Sequence, residues 1–202
     1  MPASPSASTI GSAFWRAIPK VLLHEHLDGG LRPQTLLDLC QQKNISLPAS
    51  TPQAVARWLQ GNAQSGSLER YVAAFAPTVA AMGDAAACER VAFEAAEDAR
   101  SEGCVLAEFR MAPLLLERHG MAGEAVVEAL VAGLQRSRLP CALIVCAMRG
   151  EGAEQVERAA RLAAMAAAAL VRQPRQTRPD AACRGADWPL AARPGGGGGR
   201  SP

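Results

Sequence analysis

Pro19-Lys20-Val21-Leu22-Leu23-His24-Glu25-His26-Leu27-Asp28-Gly29-Gly30 is the stretch that decides how this chain is read. It begins as an apolar run and ends in polar groups followed by paired glycines. Val21, Leu22 and Leu23 predict a short, fully buried strand. Strand side chains alternate between faces, which puts His24, His26 and Asp28 on one side and Glu25 on the other. Two imidazoles two residues apart can grip one metal ion, and a carboxylate beside them suits the same site. Gly29 and Gly30 allow a sharp turn where the strand stops. A buried strand that ends in such groups is the pattern at the C-terminal mouth of a parallel barrel. Taken alone, the histidines also read as ordinary rim residues. Asp28 also reads as a turn carboxylate that accepts backbone N–H groups.

The surrounding composition fits a globular domain. The chain has 202 residues, 49% hydrophobic and 20% charged, enough for one domain with a real core. A formal net charge of +2 is too small to argue for nucleic acid or an acidic membrane surface. No apolar run is long enough to span a bilayer, and Met1 to Ser12 lacks the features of a secretory signal. None of the six cysteines form a Cys-x-x-Cys pair, and most fall in apolar patterns. They read as reduced, buried thiols of a cytoplasmic protein.

Working outward, residues 1–13 read as a disordered lead-in, and Phe14 to Ile18 as a short turn under the first strand. Pro33 opens a helix, and Thr51 caps another through Trp58 and Leu59. Ser67 begins a longer helix with Leu68, Tyr71, Val72, Phe75, Val79 and Met82 on one face. Asp84 caps a helix to about Arg100. Cys104 to Met111 is a second strand, broken by Pro113. Ala122 to Gln135 is a helix, Cys141 to Met148 a third strand, and Ala153 to about Leu170 a further helix. Strands alternating with helices imply parallel βα units. Glu108 and Arg110 share one parity on the second strand, either as a pair inside a barrel or as a rim ion pair. His119 reads as a surface loop residue.

From residue 171 the periodicity is lost. Arg, Pro, Gly and Ala dominate 171–202, around an isolated Trp188-Pro189-Leu190, and the expectation is a disordered tail. Its composition is that of GC-rich coding DNA read in a shifted frame, so a truncated or frame-shifted product is expected.

The whole string from Pro19 to Gly29, with Leu31-Arg32-Pro33-Gln34-Thr35-Leu36 after it, resembles the first strand and first helix of the adenosine deaminases. These are zinc-dependent hydrolases of the amidohydrolase superfamily. The resemblance covers the chain from Pro19 to Leu170. It implies an α/β fold, part of a TIM (β/α)8-type barrel with about three βα units and extra helices after the first strand. It also implies hydrolytic deamination of adenosine or deoxyadenosine to inosine. Zn2+ is the implied cofactor, because zinc lowers the pKa of a bound water to about 7. By this resemblance His24 and His26 are zinc ligands, and His26 and Asp28 also face the nucleoside, Asp28 through the ribose. Leu68, Tyr71, Val72 and Phe75 match an apolar gate over the purine, and Met148 matches a pocket-lining methionine. For these apolar residues ordinary core packing is the other reading.

The departures are equally definite. The family's third zinc histidine, its proton-handling glutamate, a later histidine and a tandem Asp-Asp have no counterpart here, and no histidine follows His119. The expectation is therefore a truncated chain with no catalytic residue of its own, inactive in isolation. The partner expected is a purine nucleoside, with no nucleic acid and no membrane, and the oligomeric state is open. The alternative is a non-catalytic fragment that binds a partner.

Overall fold

A computed structural model describes residues 12–171. The expected lead-in and tail, with Cys183 and Trp188, lie outside the described residues, apart from the helix-end residues Ser12, Ala13 and Val171. The elements run α1 (Ser12–Ala17), β1 (Lys20–His26), α2 (Pro33–Gln42), α3 (Pro52–Ala63), α4 (Leu68–Ala73), α5 (Phe75–Ala81) and α6 (Ala85–Ser101). Then come β2 (Cys104–Met111), a 3₁₀ segment (Pro113–His119), α7 (Gly123–Arg136), β3 (Cys141–Val145) and α8 (Ala153–Val171).

The three strands form one parallel sheet in the order β1-β2-β3. Ala107, Phe109 and Met111 point to one face of β2 and are buried under the helices. They join Leu36, Leu39, Val91, Ala92, Leu130 and Leu134 in the main core. Val127 and Val131 of α7 close a smaller cluster with Leu162 and Ala166 of α8. Helices α6 and α7 pack closely at Gly133. A Cβ there would stand 2.9 Å from the Ala92 methyl and collide with the Glu89 carbonyl.

Local chemistry explains the helix boundaries. Thr51 and Asp84 cap as expected, accepting from Ala54 N at 3.3 Å and Ala87 N at 2.8 Å. Pro33 and Pro52 stand in the first turns of their helices, where a missing N–H costs nothing. The long helix expected from Ser67 is two helices, broken at Ala74. Pro77 accounts for the break: it has no N–H for the carbonyl of Ala73, and its ring crowds that carbonyl.

Two further expectations are corrected. The first strand is not fully buried: Val21 and Leu23 are exposed. Among the described residues the sheet is covered by helices on one face, and these two side chains stand on the other. The third strand ends at Val145 rather than Met148. Cys146 N still donates to Met111 O at 2.9 Å, but β2 stops at Met111 and offers Ala147 and Met148 no strand to pair with.

The described cysteines are all free thiols, with Cys40 and Cys88 buried and Cys104, Cys141 and Cys146 half-buried. Burial pushes the thiols of Cys88 and Cys141 up to about 12, which keeps them protonated and inert. No single described helix is long and apolar enough to cross a membrane.

Candidate active site

The site lies where β1 and β2 end. Leu22 pairs with Ala107 and Glu25 with Phe109, so β1 spends three steps where β2 spends two. The extra residue makes a bulge, and His24 within it has φ of 63°. Bulges re-aim side chains near functional sites, and a non-glycine residue in this region is held there by its surroundings. Simple alternation is therefore not what brings the histidines together. Both rings nevertheless meet edge to face, with centroids 5.8 Å apart. Glu25 pairs with Phe109 across the sheet, and it lines the first cavity described below together with His24 and His26, which parity had placed on the opposite face.

Asp28 follows the strand in a turn closed by Gly29 N to His26 O at 3.1 Å. It is 8% exposed. Its Oδ1 lies 3.4 Å from His26 Nδ1 and has no other polar partner. Burial pushes the carboxyl above its ordinary value, and the neighbouring His26, a backbone hydrogen bond and Arg110 offset part of that rise. Gly29 serves close approach: a Cβ there would sit 3.1 Å from the Phe75 ring.

Two cavities open here. One, of about 410 Å³, is lined by His24, His26, Asp28, Tyr71 and Phe75 with Leu59, Gln60 and Ala63 of α3. The other, of about 680 Å³, is lined by His26, Asp28, Tyr71, Val72, Phe75, Arg110, Cys146 and Met148 among others. His26, Asp28, Tyr71 and Phe75 line both, so they form a shared wall. Tyr71 and Phe75 meet edge to face at 5.2 Å. The structure thus gathers the singled-out residues with one exception. Leu68 is 75% exposed and lines neither cavity, although Tyr71 and Val72 of the same helix do.

Sequence reasoning missed three features. Arg110 turns to His24 and Cys146 rather than to Glu108, meeting His24 Nε2 through Nη1 and donating from Nη2 to Cys146 Sγ at 2.9 Å. Cys146 lines the larger cavity, as does His119, which was expected to be an ordinary surface histidine. The available signal was position: Arg110 and Cys146 both sit at the C-terminal ends of strands, where a parallel barrel builds its site.

Among the described residues no three His, Cys, Asp or Glu side chains are grouped to hold a metal ion. His24 and His26 offer two imidazoles with ring centroids 5.8 Å apart, short of the three ligands such a site needs, and the unpartnered Asp28 oxygen lies beside His26.

The three-stranded parallel sheet with helices on one face is an α/β fold, similar to part of the barrels of known deaminases. The structure of Arabidopsis ADAL complexed with GMP is similar, with a TM-score of 0.63 and 25% identity over 76% of this chain and 47% of that one. The family model of adenosine deaminase matches residues 19–172, and the chain belongs to that family. It is 43% identical to an adenosine deaminase of Mycobacterium avium over 144 residues, 66% of this chain and 39% of that protein. It is also 43% identical to one of Mycobacterium tuberculosis over 143 residues, 70% of this chain and 38% of that protein. The chain thus spans well under half the length of these relatives.

Proposed function

We propose that this chain supplies the metal-facing and nucleoside-facing first part of an adenosine deaminase site, for the hydrolytic conversion of adenosine or deoxyadenosine to inosine. The observation that carries this reading is the shared wall of His26, Asp28, Tyr71 and Phe75, with His24 beside it. A purine has two apolar faces, and the Tyr71 and Phe75 rings with Met148 give it apolar walls. Val72 extends that wall. Asp28 accepts from a ribose hydroxyl through the Oδ1 that lacks a partner. Such a bond gains more than one at the surface, because burial has already removed the competing water.

His24 and His26 are the proposed zinc ligands, each through its unprotonated nitrogen. Zinc held there supplies activation of the attacking water. Catalytic zinc sites use three protein ligands and keep one open position. Two imidazoles fall short of that set, and no general acid stands among the proposed residues. A positioned acid is worth about 10²–10⁴-fold in rate. Turnover by this chain alone is therefore expected to be negligible.

The test is a deamination assay on the purified 202-residue chain with zinc and adenosine. Adenosine is expected to bind without measurable loss of its absorbance. Turnover that survives purification and disappears in His24→Ala would show that other residues of this chain complete the site.

A further inference from the structure

The two cavities at the strand ends adjoin along His26, Asp28, Tyr71 and Phe75, and they differ in chemistry. The larger, of about 680 Å³, adds apolar side chains such as Val72, Leu115 and Met148, and the cations Arg110 and Arg118. The smaller, of about 410 Å³, adds Glu25 and Gln60, and among the described residues no lysine or arginine lines it. Two carboxylates, Glu25 and Asp28, therefore line the smaller cavity without a permanent cation beside them.

Neither carboxylate is satisfied. Asp28 is buried, and its Oδ1 has no polar partner beyond His26 Nδ1 at 3.4 Å. Glu25 follows the bulged His24 directly, and a bulge re-aims the side chains around it. Its Oε1 lies against the glycine turn, 3.3 Å from where a Cβ on Gly30 would stand. The half-buried Glu25 side chain makes no hydrogen bond or ion pair with another described residue. An ionised carboxylate only accepts hydrogen bonds, so the smaller cavity suits a ligand rich in donors. In a purine nucleoside the ribose hydroxyls are that part, and the flat base suits the more apolar cavity.

We propose that the smaller cavity is the sugar subsite and that Glu25 is a specificity-determining residue in it, accepting from a ribose hydroxyl other than the one that Asp28 takes. The inference rests on the proposed binding of adenosine. Gln60 brings an amide that can donate to the same hydroxyl oxygens. A base without its sugar leaves both carboxylates unmatched, so the pair selects nucleosides over free bases.

The experiment measures binding to the full chain by calorimetry, with adenosine, its 2′-, 3′- and 5′-deoxy analogues, and 9-methyladenine, which keeps the base and its amino group. Glu25→Ala is expected to weaken adenosine about tenfold, the effect of one lost charge-assisted hydrogen bond, and to leave 9-methyladenine unchanged. One deoxy analogue is expected to bind the unaltered chain about tenfold more weakly than adenosine and to lose nothing further in Glu25→Ala. Unchanged adenosine affinity in Glu25→Ala, an equal loss for 9-methyladenine, or a loss that persists in every deoxy analogue overturns the proposal. Tyr71→Ala separates the two levels. If it weakens adenosine binding while Glu25→Ala does not, this inference alone fails. If the unaltered chain does not bind adenosine, or binds it regardless of both residues, the nucleoside reading fails and this inference with it.

Discussion

His26 Nδ1 stands 3.4 Å from Asp28 Oδ1, and the two partners differ sharply in environment: the imidazole is open to solvent while the carboxylate is buried. A buried carboxylate with an unpartnered oxygen costs stability, and such costs collect at binding sites. Asp28→Asn is expected to raise the stability of the metal-free chain at pH 7 by about 1 kcal/mol. It is expected to weaken adenosine binding at the same time. Urea denaturation and calorimetry check both signs, and a less stable variant contradicts the account.

The aromatic wall gives a paired prediction. Tyr71 lines both cavities, whereas Leu68, one turn earlier on α4, lines neither. Both are exposed, so truncation of either is expected to change stability by no more than about 0.5 kcal/mol. Tyr71→Ala is expected to weaken adenosine binding several-fold, and Leu68→Ala to leave it unchanged. Equal effects of the two would remove the case for Tyr71 as a purine wall.

Gly133 is the tightest point between α6 and α7. Gly133→Ala places a methyl against the Glu89 carbonyl and the Ala92 methyl, so the helices must part. A loss of about 1–3 kcal/mol is expected, visible as a lower urea midpoint.

The surface carboxylates predict the acid limb of stability. Asp38 is held below its ordinary 3.8 by Gln34 and Arg90, and Glu97 below its ordinary 4.5 by Arg100 and Ser137. Glu117 is held below 4.5 by Arg158. Each folded value is depressed, so each contribution is complete above the ordinary value and is lost as pH falls through the depressed one. Stability is expected to be flat with respect to these groups above about pH 5 and to decline progressively below it. Denaturation curves from pH 7 to pH 3 check this, and Arg158→Met is expected to reduce the slope.

Much of the fold was legible because it is local. Thr51, Asp84 and Pro33 mark helix starts by chemistry that acts within one turn, and all three sit where that chemistry places them. The second strand occupies the expected Cys104–Met111, and its alternate residues Ala107, Phe109 and Met111 are buried. The break at Ala74 was in principle legible from Pro77, but an apolar face that continues across it hid the change. The bulge at His24 was not legible. No glycine marks it, and the positive φ is set by packing and partners that lie far along the chain. The same applies to Arg110, whose partners are 86 residues before it and 36 after it. Spacing within a strand says which face a side chain takes, and it is silent on which neighbour from another strand it meets.

The proposed site joins a histidine pair for zinc to an adenosine-binding wall, so a metal ion at His24 and His26 is expected to strengthen adenosine binding beside them. The most direct test is calorimetric titration of adenosine into the purified chain, with and without zinc, for the unaltered protein and for the His24→Ala, His26→Ala double variant. The account predicts one binding event that zinc strengthens and that the double variant loses. Adenosine binding indifferent to both zinc and the two histidines, or no binding at all, would contradict it.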